Sequence, residues 1–105
     1  MSLEQLEKLV LEWGAVKGIL PDPVALAQCN KTQEEVDELY MAILHDDRNA
    51  AIDAIGDIIV TLIMQTQAWD TDLTECLSQA YKEISGRTGK MVNGVFVKDV
   101  PGLKT

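Results

Sequence analysis

The sequence predicts an all-α protein: a four-helix bundle with a small C-terminal β-hairpin, assembled into an oligomer. Three observations lead there. Apolar residues recur at helical spacing through most of the 105 residues. The period changes once, around Asn93-Gly94, the strongest short hairpin signal. One segment, "AAIDAIGDIIVTLIMQTQAW", is apolar nearly all round, which a small bundle cannot cover unaided. The length fits a single domain over residues 1–105, with a real but thin core.

The first helix is expected over residues 2–18. Ser2 is its N-cap, with Gln5 completing a capping box. Leu3, Leu6, Leu9, Val10, Trp13 and Val16 form its apolar stripe. Gly14 weakens it, Gly18 stops it, and Pro21 and Pro23 force an extended connection. "VALAQCN" reads either as the start of the second helix or as a turn of its own. Thr32 is the better cap, since "TQEE" fits a capping box with Glu35 reaching back. From there Val36, Leu39, Tyr40, Ile43 and Leu44 are expected to face inward, until "HDDRN" breaks the pattern. The apolar third helix runs from about 49 to 69 and belongs at the centre of the bundle or at a subunit interface. The fourth spans about 72 to 84, capped by Asp72 or Thr71 and ended at "SGRTGK". "KMVNGVFVK" supplies the hairpin, which must dock on something because a lone hairpin is marginal in water. "DVPGLKT" reads as a frayed end.

Apolar residues make up 47% and charged residues 25%, ordinary for a globular domain. The net charge of −8 repels nucleic acid and anionic membranes at long range, so neither is an expected partner. An anionic substrate would need a local cation, either a divalent metal or placed Lys and Arg. Cys29 and Cys76 are far apart, with no CxxC spacing, and read as buried small hydrophobes in a reducing compartment. "MSLEQLEKLV" lacks the basic and apolar regions of a secretory signal. The run "IGDIIVTLIM" is short for a membrane span and carries Asp57. A cytoplasmic protein is expected.

The acidic residues raise the functional question. Glu34, Glu35, Asp37 and Glu38 fall within five positions, and Asp53 and Asp57 return inside the apolar helix. Glu35 and Glu38 are i, i+3; Glu34 and Glu38, and Asp53 and Asp57, are i, i+4. Each pair shares a helix face. Packed antiparallel, the two helices would aim four or five carboxylates into one space, at a cost of several kcal/mol per bare buried charge by order of magnitude. A hard divalent cation with oxygen ligands relieves that cost. A solvated helix face would equally account for Glu34, Asp37 and Glu38, and a cap for Glu35. Asp57, set between Gly56 and "IIVTLI", needs a partner or an ion. No Ser-His-Asp or Cys-His arrangement and no GxxxxGK[ST] loop is present. His45 is the only histidine, too few for an HD-type metal site, and reads as exposed or as a helix-dipole contact.

"EEVDEL" followed by "DAIGDIIVTLI" resembles the two acidic motifs of the all-α nucleoside triphosphate pyrophosphohydrolase superfamily. That superfamily includes MazG-like enzymes, dimeric dUTPases and phosphoribosyl-ATP pyrophosphohydrolases. "EWGAVKGIL", "AQCNKTQEEVDEL" and "AYKEISGRTGKMVNGVFVKD" are similar to the first-helix, central and C-terminal segments of small MazG-like proteins, so the likeness covers nearly the whole chain. It implies a MazG-like bundle that cleaves a nucleoside triphosphate to the monophosphate and pyrophosphate. Mg²⁺, with Mn²⁺ as an alternative, would be held by an ExxE and an ExxD. Glu35 and Glu38 match the ExxE, Asp57 the final Asp, and Glu34 the extra Glu before it. The sequence departs at Ala54, where the Glu of the ExxD would fall, and Asp53 is the neighbouring substitute.

On this resemblance Glu34 or Glu35 orients or deprotonates the attacking water. Lys31, Lys82, Arg87 and Lys90 hold the polyphosphate, with Lys98 a weaker candidate. Trp13 or Tyr81 stacks on the base, and Gln28 hydrogen-bonds it. Each also has a plain role: Lys82 and Arg87 suit a helix C-terminus, Trp13 and Tyr81 a core or interface, and Gln28 a turn. Two other functions fit: a relative specialised for dUTP, dCTP or phosphoribosyl-ATP, or a helical metal- or nucleotide-binding module without activity, which Ala54 favours. Relatives of this size form homodimers or homotetramers, and the uncovered apolar helix points the same way.

Overall fold

The computed structural model describes residues 1–100; the expected frayed end beyond Val100 lies outside them. The described residues form four helices and one antiparallel hairpin: α1 (Leu3–Val16), α2 (Ala25–Leu44), α3 (Arg48–Ala68), α4 (Leu73–Ile84), β1 (Gly89–Val92) and β2 (Val95–Lys98). Contacts divide the chain into two compact units, Met1–Leu73 and the residues from Thr74 onward.

The first unit is a three-helix arrangement in which α2 and α3 pack along their length and α1 lies against α3. The Ser2 hydroxyl accepts from the Gln5 N–H at 3.1 Å, and the Gln5 side chain accepts from the Ser2 N–H at 2.8 Å, completing the expected capping box. The inward face of α1 is not the expected stripe. Glu7, Val10, Leu11 and Gly14 are the covered positions, while Leu3, Leu6, Leu9, Trp13 and Val16 are exposed. Gly14 sets this rotation: a Cβ there would lie 2.6 Å from Met64 Sδ and 2.8 Å from its Cε. The helix turns its bare backbone onto the most deeply buried side chain of the unit.

After α1 the chain crosses a cis Leu20–Pro21 bond and enters α2 at Ala25. "VALAQCN" therefore opens the second helix, and Thr32 is not its cap. Thr32 sits in mid-helix, bonded to the Gln28 carbonyl at 3.0 Å. The α2–α3 seam is lined by Thr32, Glu35, Leu39 and Ala42 from one side and Ala54, Ile58, Thr61 and Gln65 from the other. Val36, Tyr40, Ile43 and Leu44, expected inward, are exposed on this chain because the seam takes the adjacent face of α2. Asp46, in the left-handed region, ends α2, and Asp47 caps α3 by accepting from the Ala50 N–H at 3.0 Å. By length and composition α3 is apolar enough to cross a membrane, contrary to the reading of its shorter run. It also carries Asp53 and Asp57 and supplies Ala54, Ile63 and Met64 to the unit's core.

Leu73, the last residue of the unit, donates its N–H to Glu7 Oε2 at 3.0 Å, and the buried Thr71 hydroxyl has no hydrogen-bond partner. The second unit holds the rest of α4 and the hairpin. Asn93 and Gly94 both have positive φ, 49° and 80°, as a type I′ turn requires. A Thr88–Asp99 pair at 2.7 Å closes the open end of the hairpin. Cys29 of α2 and Cys76 of α4 are exposed, not buried as expected.

Candidate functional site

The α2–α3 seam is built in rungs. Gln65 donates to the Ala25 carbonyl at 3.0 Å. One turn along α3 and two along α2, the hydroxyls of Thr32 and Thr61 meet at 2.7 Å, and Thr61 donates onward to the Ile58 carbonyl at 2.7 Å. One further turn brings Glu35 of α2 to Asp57 of α3. Here each helix presents a carboxylate where the previous rung had a hydroxyl. Glu38 joins from the next turn of α2, and single oxygens of Glu35, Glu38 and Asp57 lie within 4.8 Å of one another. Glu35 is buried, 8% exposed, and its Oε2 is fully enclosed without a hydrogen-bond partner.

The electrostatics follow from that crowding. Burial, then the neighbouring Glu38 carboxylate, holds the Glu35 carboxyl above the usual range, with Lys31 pulling the other way. Burial, then the charges of Asp53 and Glu35, pushes Asp57 up as well. Lys31 is the resident cation: its Nζ lies 3.1 Å from Glu34 Oε2 and 3.6 Å from Glu35 Oε1. The ammonium is shifted upward, chiefly by Glu34.

A cleft of about 460 Å³ opens beside the cluster, within the usual range for small-molecule sites. Trp13 and Ile19 form one wall; Gln28, Lys31 and Glu35 of α2 and Asp57, Thr61 and Met64 of α3 line the remainder. Five residues singled out from sequence thus meet around one space: Trp13, Gln28, Lys31, Glu35 and Asp57. Glu38 also borders a shallower depression with Asp37, His45 and Asp47. Glu34 is at the surface, held by Lys31. Asp53 is exposed and stands outside the three-carboxylate cluster, acting on Asp57 by charge. Ala54 is 3% exposed, so the position where the resemblance places a Glu is packed in the helix seam.

Tyr81, Lys82, Arg87, Lys90 and Lys98 belong to the second unit and are exposed there. Arg87 pairs with Glu83 at 3.5 Å. Thr61 and Met64 are site residues that pattern reading missed. Thr61 is i+4 from Asp57, and a hydroxyl at that spacing in an apolar helix was the available signal.

The donor set fits a hard divalent ion. All three clustered groups are carboxylates, one has a buried oxygen without a partner, and Mg²⁺ or Mn²⁺ takes such oxygens. The alternative is a shared proton between Glu35 and a neighbour, which the raised carboxyls favour in acid. No protein-family model, curated protein or solved structure matches the chain.

Proposed function

We propose that this protein is a metal-dependent nucleoside triphosphate pyrophosphohydrolase. The observation that carries the reading is the Glu35–Glu38–Asp57 cluster, with its unpartnered buried oxygen, on the edge of a cleft lined by Trp13 and Lys31. Glu35, Glu38 and Asp57 would hold Mg²⁺ or Mn²⁺. The ion, when bound, neutralises phosphate charge and lowers the pKa of water.

The chain's own groups do the rest. Trp13, 46% exposed and bordering the cleft, offers a ring face for the base, and Gln28 a polar group for its edge. Lys31 binds polyphosphate oxygens. Glu34, adjacent to the cluster but at the surface, accepts the proton of the attacking water. A new P–O bond forms to a phosphorus flanking the α–β bridge, and the bond from that phosphorus to the bridging oxygen breaks. The electron pair leaves on the bridging oxygen, giving the monophosphate and pyrophosphate. Tyr81, Lys82, Arg87 and Lys90, expected from the resemblance to contact base and phosphates, lie in the second unit, and this reading gives them no role at the cleft.

A second reading has its own observation. Ala54 is buried where a fourth carboxylate would stand, which suits a metal- or nucleotide-binding module without turnover. The test is release of pyrophosphate from a panel of ribo- and deoxynucleoside triphosphates, with and without Mg²⁺. Metal-dependent release that Glu38→Gln abolishes supports the enzyme. Metal uptake with no release from any nucleotide supports the binding module.

The same reading includes a homo-oligomer. Val36, Tyr40 and Ile43 of α2 and Ile52, Ile55 and Leu62 of α3 are exposed. By helical periodicity both sets fall on the side of the α2–α3 pair opposite Lys31, Glu38 and Asp57. An apolar face of this kind on a chain of charge −8 suits a second copy, whose acidic surface would stay outside the contact. Light scattering that finds a monomer at micromolar concentration refutes this part.

A further inference from the structure

Lys31 stands in an unusual position among the charges of the first unit. Among the described residues it is the one basic side chain lining the cleft, and although half-exposed it is paired with acids at the cleft's edge. Its ammonium divides between Glu34 and Oε1 of Glu35, while the other oxygen of Glu35 is buried without a partner. Glu35 thus faces two cation positions at once, one filled by Lys31 and one served by Glu38 and Asp57. The two positions share a single carboxylate charge, so filling either weakens the other.

Resting on the metal reading above, we infer that Lys31 is a built-in counter-cation that exchanges partners: it neutralises Glu35 when the carboxylate cluster lacks a divalent ion, and it turns its donors to an anionic ligand when the cluster holds one. Lys suits this role. An ammonium carries three donors on a flexible stem, and its side chain here is 56% exposed, free to move by rotamer changes alone. Arg would bind Glu35 bidentately and release it less readily. The consequence is a sequence of binding in which the anion site is blocked until the ion arrives. Free pyrophosphate or polyphosphate would then compete poorly for the metal-free protein.

A unit positive charge close to a divalent ion, in water-exposed surroundings, opposes its binding by about tenfold. Calorimetric titration of Mg²⁺ alone is therefore expected to show Lys31→Gln binding about tenfold more tightly than wild type. Titration of magnesium pyrophosphate into the Mg²⁺-saturated proteins is expected to show the same variant binding about tenfold more weakly. Lys31→Arg keeps the charge and holds Glu35 at least as firmly, so it should bind Mg²⁺ no more tightly than wild type, which separates charge from lost packing. Unchanged or weakened Mg²⁺ binding in Lys31→Gln overturns the exchange while leaving the metal site standing. Wild-type protein that takes up no Mg²⁺ overturns the metal reading itself.

Discussion

Replacing Gly14 with Ala tests how the cleft wall is built. An added Cβ would stand 2.6 Å from Met64 Sδ, 2.8 Å from Met64 Cε and 3.3 Å from Leu20 Cδ1. Two opposing terms follow. In a helix interior, Ala in place of Gly contributes about 1 kcal/mol of stability. Overpacking a filled core costs about 1–3 kcal/mol. Met64 is 1% exposed, so its thioether can yield only toward the adjoining cleft, and the steric cost prevails. The expected net result is a loss of about 1 kcal/mol, read as the shift of the urea midpoint at unchanged slope. The decisive assay is a double-mutant cycle with Met64→Ala. That variant alone should cost about 2–5 kcal/mol as a large-to-small core change. In its background Gly14→Ala should become neutral or stabilising, a coupling of about 1–3 kcal/mol. If Gly14→Ala stabilises the wild-type protein by about 1 kcal/mol, with no coupling to Met64, the proposed contact between α1 and α3 is wrong.

Two further predictions concern the seam. Thr61→Val removes the cross-helix hydroxyl bond one turn from Asp57 and should cost about 1 kcal/mol, with Thr61→Ser losing less, by chemical denaturation. The pH dependence follows from the raised carboxyls of Glu35 and Asp57. The metal-free native state holds their protons more tightly than the unfolded chain does. These two groups therefore make stability fall as pH rises from the ordinary carboxylate range, near 4, through their raised values. Mg²⁺ requires the deprotonated forms, so its affinity should rise over the same window. Denaturation midpoints without metal and Mg²⁺ titrations across that range check both signs, and Glu35→Gln should flatten each curve.

Much of the fold could be read from local chemistry. Ser2 and Gln5 satisfy each other's backbone groups within one turn, and Asn93-Gly94 imposes its own backbone conformation, so neither depends on distant contacts. The carboxylate cluster was legible in part: i, i+3 spacing on α2 and the packing of α3 bring Glu35, Glu38 and Asp57 together, but Glu34 and Asp53, expected in the same space, stay at the surface. The start of α2 was not. Thr32 followed by Glu35 has the form of a capping box, but its hydroxyl is used within the helix and across to Thr61, a choice that only the neighbouring helix decides. The apolar stripes of α1 and α2 failed for a related reason. Amphipathicity says that a face is to be covered, not which neighbour covers it, and Gly14 turned α1 away from its most apolar side. Ala54 illustrates the limit from the other direction. A missing carboxylate in a motif looked like a loss, and the structure gives it a packing role in the seam.

Whether a divalent cation joins Glu35, Glu38 and Asp57 is tested most directly by the stability of the wild-type protein and Glu38→Gln in rising Mg²⁺ at fixed ionic strength. A ligand that binds only the native state adds about 2.7 kcal/mol at one hundred times its Kd. Wild type should gain stability steadily with Mg²⁺ on that curve, and Glu38→Gln should gain little at the same concentrations. A wild-type midpoint that does not move with Mg²⁺ or Mn²⁺, or one that moves equally in Glu38→Gln, contradicts the account.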